Sequence, residues 1–326
     1  MTTACQGGVT RDPLGVQSPP RRLAYLGTPE AAVLPLRALV EAGHNVRVVV
    51  TRPDRRRGRG AATSPSPVKA EAERLGIRVV HDLDALLERG ATAGTGDGPA
   101  VDLGVVVAYG RIIPERVLAR VPMVNLHFSL LPRWRGAAPV ERAILAGDEA
   151  TGVCVMALEP ELDTGPVYAR AVVPILPGEH LGPLRERLVE VGSRLLVDTL
   201  AGPLRSPEPQ QGEPTYAEKV GAAELRLRWN HPSAELARLV RLDRAWTTWR
   251  GRRMRILEAE EVPAPVGAAA PPPGTLVGDV VVTGDGGLRL VRVQPEGRPA
   301  MGAGEWRRGA RPADGERFDG ERAGSS

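Results

Sequence analysis

Two short stretches of this 326-residue chain hold side chains that could do chemistry together. The first is Met123-Val124-Asn125-Leu126-His127-Phe128-Ser129-Leu130-Leu131-Pro132-Arg133-Trp134-Arg135-Gly136, and the second is Leu162-Asp163-Thr164-Gly165-Pro166. The first begins as a strand, where alternate residues face opposite sides. Asn125, His127 and Ser129 therefore share one side, and Val124, Leu126 and Phe128 the other. Buried strands of parallel sheets usually read as unbroken apolar runs, so these polar insertions point to a reaction site at the sheet's edge. An Asn amide and a protonated imidazole can both donate hydrogen bonds to a developing oxyanion. Asp163 could orient the imidazole or accept a proton through water. No Ser or Cys sits in a nucleophile elbow, which disfavours covalent acyl transfer. Gly27-Thr28-Pro29 continues into neither a phosphate-binding loop nor a dinucleotide fingerprint. These residues suit direct attack of a substrate amine on a carbonyl. They suit equally a structural strand end and an Asp/Gly turn, and residue types alone leave both readings open.

The surrounding pattern supplies elements to hold such a site. Leu23–Leu26 is a short apolar run, Glu30–Ala42 reads as a helix with Pro29 near its first turn and Gly43 past its end, and Val46–Val50 is a second strand. Strand, helix, strand in about thirty residues is a βαβ unit with parallel strands and a right-handed crossover. The alternation continues through helix Val68–Leu75, strands Ile77–Val80, Leu103–Ala108 and Val124–His127, and helix Pro139–Ala146. Extended segments at Val153–Ala157 and Val167–Val173 precede a helix over Leu184–Leu200. Residues 22–201 thus form one Rossmann-like α/β unit with a mostly parallel sheet, whose ligand site belongs outside the C-terminal strand ends. Pro-rich residues 202–214 read as a linker. Residues 215–311, with short β-branched runs punctuated by Gly and Pro, read as a small OB-like β-barrel. Trp229, Trp246, Trp249 and Trp306 are its expected anchors. Residues 1–21 and 312–326 are expected to be disordered.

Composition narrows the class. No apolar run reaches the roughly 18 residues of a membrane span, and Met1–Pro20 lacks the apolar core of a secretory signal. Only Cys5 and Cys154 are available for sulfur chemistry, so no metal site or disulfide framework is expected and a reducing cytoplasm is the expected home. The net charge of +4 comes almost wholly from arginine, since lysine occurs only at Lys69 and Lys219. Nothing demands more than a monomer.

The run Asn125 to Pro139 closely resembles the signature of 10-formyltetrahydrofolate-dependent formyltransferases, most narrowly of the branch that acts on methionyl-tRNA. Further matches follow in one order. They are Gly27-Thr28-Pro29, Thr51-Arg52-Pro53-Asp54, Gly58-Arg59-Gly60, Pro65 to Lys69, Val107-Ala108-Tyr109-Gly110, Leu162 to Gly165 and Thr215 to Lys219. The resemblance spans about Arg22 to Arg311 and implies that Asn125, His127 and Asp163 are catalytic. It further implies a 10-formyltetrahydrofolate site at Ser129, Leu130, Leu131 and Pro132, with Ala108, Tyr109 and Gly110 nearby. The implied acceptor is the α-amino group of initiator methionyl-tRNA.

Arg52, Arg55, Arg56, Arg57 and Arg59 crowd one Gly-containing loop. Such a run is ordinarily a solvated surface. Here it falls where similar enzymes contact the tRNA acceptor end, and arginine suits phosphate and unpaired bases. Rival readings are a formyltransferase for an amino sugar nucleotide or glycinamide ribonucleotide, a folate-dependent hydrolase, and a non-catalytic RNA-binding module.

Overall fold

Mostly apolar runs form the parallel part of a seven-stranded sheet. In the computed structural model, which describes residues 21–56, 63–87, 101–265, 271–313 and 315–319, these are Arg22–Gly27 (β1), Asn45–Val50 (β2), Arg78–Val80 (β3), Leu103–Val107 (β4) and Met123–His127 (β5). Ala150–Ala157 (β6) and Val167–Pro174 (β7) complete it. The order is β7-β6-β5-β4-β1-β2-β3. Neighbours from β5 to β3 pair in parallel, and β6 and β7 add antiparallel partners at one end.

Helices Val33–Glu41 (α1), Pro67–Arg74 (α2), Glu115–Leu118 (α3) and Pro139–Ala146 (α4) lie between these strands in sequence, and Leu181–Leu200 (α5) follows the last of them. Two separate apolar clusters back its faces. Val124 and Leu126 point into one with α1 and α5 residues, and Met123 points into the other beside Val117 and Val121. Asn125 and His127 therefore lie on the Met123 face of β5, at its C-terminal end.

β5 is not at the sheet's edge, where the sequence suggested the site. It is an interior strand, bonded in parallel to β4 and antiparallel to β6. Its polar residues are tolerated because they sit where the strand runs out into a loop. The expected helix Glu30–Ala42 divides into a 3-10 turn, Glu30–Ala32, and α1.

A second unit carries its own core. Trp246–Trp249 (β8), Arg252–Val262 (β9), Leu276–Val277 (β10), Val280–Val282 (β11), Gly287–Pro295 (β12) and Met301–Gly302 (β13) form an antiparallel sheet in the order β8-β9-β12-β11-β10, with β13 beside β12. Register shifts near Glu258 mark bulges that bend the long strand β9. Helices Ser233–Val240 (α6) and Ala303–Ala310 (α7), absent from the sequence reading, pack Leu236 and Trp306 into this core.

Two expectations for this unit need correction. Trp246 packs against the first core, with its Nε1 donating to Ala222 O at 2.9 Å. Residues 312–326 are not all disordered: Phe318 is 2% exposed and its ring lies 4.7 Å from that of Trp249. A Gly-, Arg- and Asp-rich tail hides one aromatic anchor, whose ring packs against three tryptophans of this core. The reading of residues 1–20 lies outside the described residues. Among the described residues, no helix is long and apolar enough to cross a membrane.

Candidate active site

Three strand ends define the site. Gly27 closes β1, and the Cβ of any other residue there would stand 2.9 Å from that of Ala32 and 3.1 Å from Val107 O. Ala108-Tyr109-Gly110 follows β4 with Ala108 at φ 46° and Gly110 at φ 71°. The order of connection reverses between β1 and β4, the crevice in which open α/β sheets hold ligands. Thr28 Oγ1 donates to Tyr109 O at 3.4 Å, and the Arg52 guanidinium donates to Gly110 O from beyond β2. Burial pushes the Tyr109 phenol pKa up.

The end of β5 carries the polar constellation. Asn125 is half-buried, while His127 and Asp163 are 6% and 8% exposed. Asp163 is the hub. Its Oδ1 accepts from Asn125 Nδ2 at 3.4 Å, and its Oδ2 accepts from the Gly136 backbone N–H at 2.8 Å. His127 Nδ1 lies 3.7 Å from the same Oδ2, and His127 Nε2 lies 2.9 Å from Trp134 O. Asp163 and Trp134 both adopt positive φ, 52° and 62°. That conformation is uncommon outside glycine, and surrounding contacts must hold it.

Those contacts are present. The Asp148 carboxylate accepts from Trp134 Nε1 at 2.8 Å and from Arg133 Nη2 at 2.6 Å. Trp134 N donates to Thr215 Oγ1 at 2.9 Å, and Arg135 N to Thr215 O at 2.8 Å. Gly136, at φ 122°, lies so near the Ala217 carbonyl that a Cβ would approach it to 2.9 Å. Gly165 lies still closer to Ala157 O, where a Cβ would come to 2.0 Å.

The structure thus brings Asn125, His127 and Asp163 together from segments 38 positions apart. The loop from Ser129 to Pro132 adjoins them, but its members differ. Ser129 is fully buried and donates to Arg133 O at 2.6 Å, and Leu131 packs with Cys154, Met156 and Val167. Leu130 and Pro132 are the partly exposed members. The buried pair fixes the loop from within, while Leu130, Pro132 and the exposed Ala108 and Gly110 are available to a ligand. Of the arginine loop, Arg55 and Arg56 form a two-residue antiparallel ribbon with Thr63 and Ser64. Its base is closed by Lys69 Nζ, 2.6 Å from Asp54. Arg57 and Arg59 lie outside the described residues. Arg52 stands apart from its neighbours, tied to the turn after β4. Among the described residues, no group of three or more His, Cys, Asp or Glu side chains could hold a metal ion.

Sequence reasoning missed Asp148, Gln210 and the Gly136 amide. Thr215 lay inside a recognised motif but its contact with Trp134 did not. Each acts through long-range contacts that leave no local pattern.

Comparison with known proteins decides the family. The model described as formyl transferase matches residues 21–200, and that described as formyl transferase, C-terminal domain, matches residues 219–311. The chain belongs to the formyl transferase family. A methionyl-tRNA formyltransferase of Acidothermus cellulolyticus is 41% identical over 325 residues, covering 91% of this chain and all of the relative. Another from Thermobifida fusca is 44% identical over 315 residues, covering 91% and 99%. Among solved structures, an N-formyltransferase of Helicobacter canadensis in complex with folinic acid and dTDP-3-aminofucose superposes with a TM-score of 0.60 at 14% identity, covering 84% and 99%. HypX of Aquifex aeolicus in complex with tetrahydrofolic acid gives 0.59 at 16%, covering 88% of this chain and 47% of HypX. At such identities the two structures speak for the fold. Within this family fold, Asn125, His127 and Asp163 occupy the C-terminal end of an interior strand and the loop that packs beside it.

Proposed function

We propose that this chain transfers the formyl group of 10-formyltetrahydrofolate to the α-amino group of initiator methionyl-tRNA. The observation that carries the reaction class is the meeting of Asn125, His127 and Gly136 around the Asp163 carboxylate at a strand end. The acceptor is supported by relatives of 41% and 44% identity that bear the name methionyl-tRNA formyltransferase and span both units.

10-Formyltetrahydrofolate supplies the formyl carbon as electrophile. The chain's own groups do the rest. Asn125 Nδ2, with one N–H toward Asp163, keeps its second N–H for the formyl oxygen as negative charge develops there. His127 offers a second donor through protonated Nδ1. The nucleophile is the neutral amine, and unperturbed α-amino groups titrate near pH 7.7–8.0 (about). As the new N–C bond forms and the old one to the folate nitrogen breaks, the amine's proton passes through Asp163 to the departing nitrogen. Ala108 and Gly110, which are exposed, and Leu130 and Pro132, which are partly exposed, fit the folate as loop residues open to a ligand.

The arginine-rich segment from Arg52 to Arg59, with Arg55, Arg56 and Arg57 between, is assigned to the acceptor end of the tRNA. The second unit adds a cavity of about 530 Å³ lined in part by Arg226, Arg228 and Arg317. Phosphate contacts from such groups make binding steeply salt-dependent.

The deciding experiment offers 10-formyltetrahydrofolate with charged initiator methionyl-tRNA, uncharged tRNA, glycinamide ribonucleotide and a UDP-amino sugar in parallel. Formyl product on the charged tRNA alone supports the reading. Product on the sugar or the ribonucleotide, or formate release without acceptor preference, overturns the tRNA assignment.

A further inference from the structure

The segment between the two cores returns to the site instead of spanning freely between the units. Glu208 pairs with Val167 through both backbone bonds, at 2.7 and 2.8 Å. Two residues on, Gln210 Nε2 donates to Asp163 O and to Gly165 O, each at 2.8 Å. Its Oε1 accepts from Arg135 Nε at 3.1 Å and Nη2 at 2.8 Å. Both amide hydrogens and both lone pairs are thereby used. Arg135 directly precedes Gly136, whose N–H meets Asp163 Oδ2 at 2.8 Å. One side chain joins the loop after β5 to the loop that carries Asp163.

We propose that Gln210 is a positioning residue for formyl transfer, a clasp that holds Asp163 in register with Asn125 and His127 without touching a reacting atom. This deepens the proposed function and rests on it. Asp163 sits at φ 52°, a conformation that persists only where neighbours over-determine it, and Gln210 binds the carbonyls on either side of Thr164. Side-chain chemistry here is restrictive. A glutamate has no donor when ionised and a single one when protonated, so it cannot serve both carbonyls, and an asparagine is one methylene too short to keep all four bonds.

The test compares the full-length parent with Gln210→Ala and Gln210→Glu. The expected result is a roughly ten- to hundredfold loss of kcat in both, the scale of misplacing a catalytic group by about 1 Å, with KM for donor and acceptor little changed. Thermal midpoints should stay near the parent's. Amide hydrogen exchange at Gly136 should quicken in both variants, a readout that needs no turnover. Parental kcat in Gln210→Ala, restoration of kcat by Gln210→Glu, a defect confined to KM, or unchanged Gly136 protection would each overturn the clasp. A parent that transfers no formyl group would sink the proposed function instead, and Gly136 exchange would still decide whether Gln210 holds the loop.

Discussion

His127 Nε2 stands 2.9 Å from the backbone oxygen of Trp134. A carbonyl only accepts, so this contact assigns a proton to Nε2 and leaves Nδ1 as the nitrogen that faces Asp163, 3.7 Å away. Trp134 is itself held at φ 62° by Asp148 through its indole and by Thr215 through its amide. A loop backbone atom thus chooses which imidazole nitrogen faces Asp163. With Nε2 committed to Trp134 O, a bond donated from Nδ1 needs a second proton on the ring.

Removing the imidazole should cost turnover and not the fold. His127→Ala is expected to lose at least about 10²-fold in kcat, the usual effect of deleting one oxyanion donor. Asp163→Asn should fall comparably, because it keeps the volume but loses the charge facing Nδ1. Single-turnover formyl transfer measures both, with far-UV circular dichroism reporting the fold. Near-parental rates in His127→Ala would remove it from the chemistry.

Much of this was legible in the sequence, for reasons that differ by element. The parallel core follows from buried runs such as Leu103–Val107, and the shared face of Asn125 and His127 follows from strand periodicity. That Asp163 joins them does not follow from spacing, because the two segments are brought together by the β5–β6 pairing and a loop held at positive φ. The resemblance to a family supplied what periodicity could not. Gln210 was illegible because it lies in a Pro- and polar-rich stretch that reads as a tether, and its partners are 45 to 75 positions away. α6 and α7 were hidden by their short length, 8 residues each. Phe318 was hidden by its tail.

Gly165 should tolerate no side chain. A Cβ there would lie 2.0 Å from Ala157 O on β6, and backbone cannot move aside as a flexible side chain does. Gly165→Ala is expected to destabilise the protein by about 1–3 kcal/mol, the range for overpacking. It should also lower kcat, since the displaced residue lies two positions from Asp163. Urea unfolding and steady-state rates on the same preparation test this. Parental stability would mean that the loop is free to lift away from β6.

The ion-paired Glu71 of α2, bonded to Arg37 of α1, sets a pH dependence. Hydrogen bonds from Arg74 and then Arg37 hold the Glu71 carboxyl down to about 2, against an ordinary 4.5. A folded-state value below the unfolded one means stabilisation that is complete above the unfolded value and is lost as pH falls toward the folded one. Glu71→Gln should therefore lower the thermal midpoint at neutral pH. The gap to the parent should close between about pH 4.5 and about pH 2. An unchanged gap across that window would show that the carboxylate contributes nothing through its charge.

Phe318 is the residue on which the C-terminal tail depends. Its ring lies 5.4 Å from that of Trp229, 4.7 Å from Trp249 and 5.8 Å from Trp306, so it closes an aromatic cluster drawn from a loop, a strand and a helix. Backbone bonds hold it from both sides, Phe318 N donating to Gly274 O and Asp319 N to Thr248 O, each at 2.9 Å. Asp319 Oδ1 also accepts from Thr248 Oγ1 at 2.7 Å. Phe318→Ala should remove the ring's transfer energy and leave a void among side chains anchored elsewhere, a cost of about 3–5 kcal/mol. The loss should fall on the second unit, because the first core contains none of these rings. Guanidinium unfolding followed by tryptophan fluorescence is the direct measurement, since three of the five tryptophans report on this cluster. An early transition of the tryptophan signal, ahead of the far-UV change from the α/β sheet, is the expected outcome. A variant unfolding at the parental midpoint would mean that the tail covers the aromatic cluster without stabilising it.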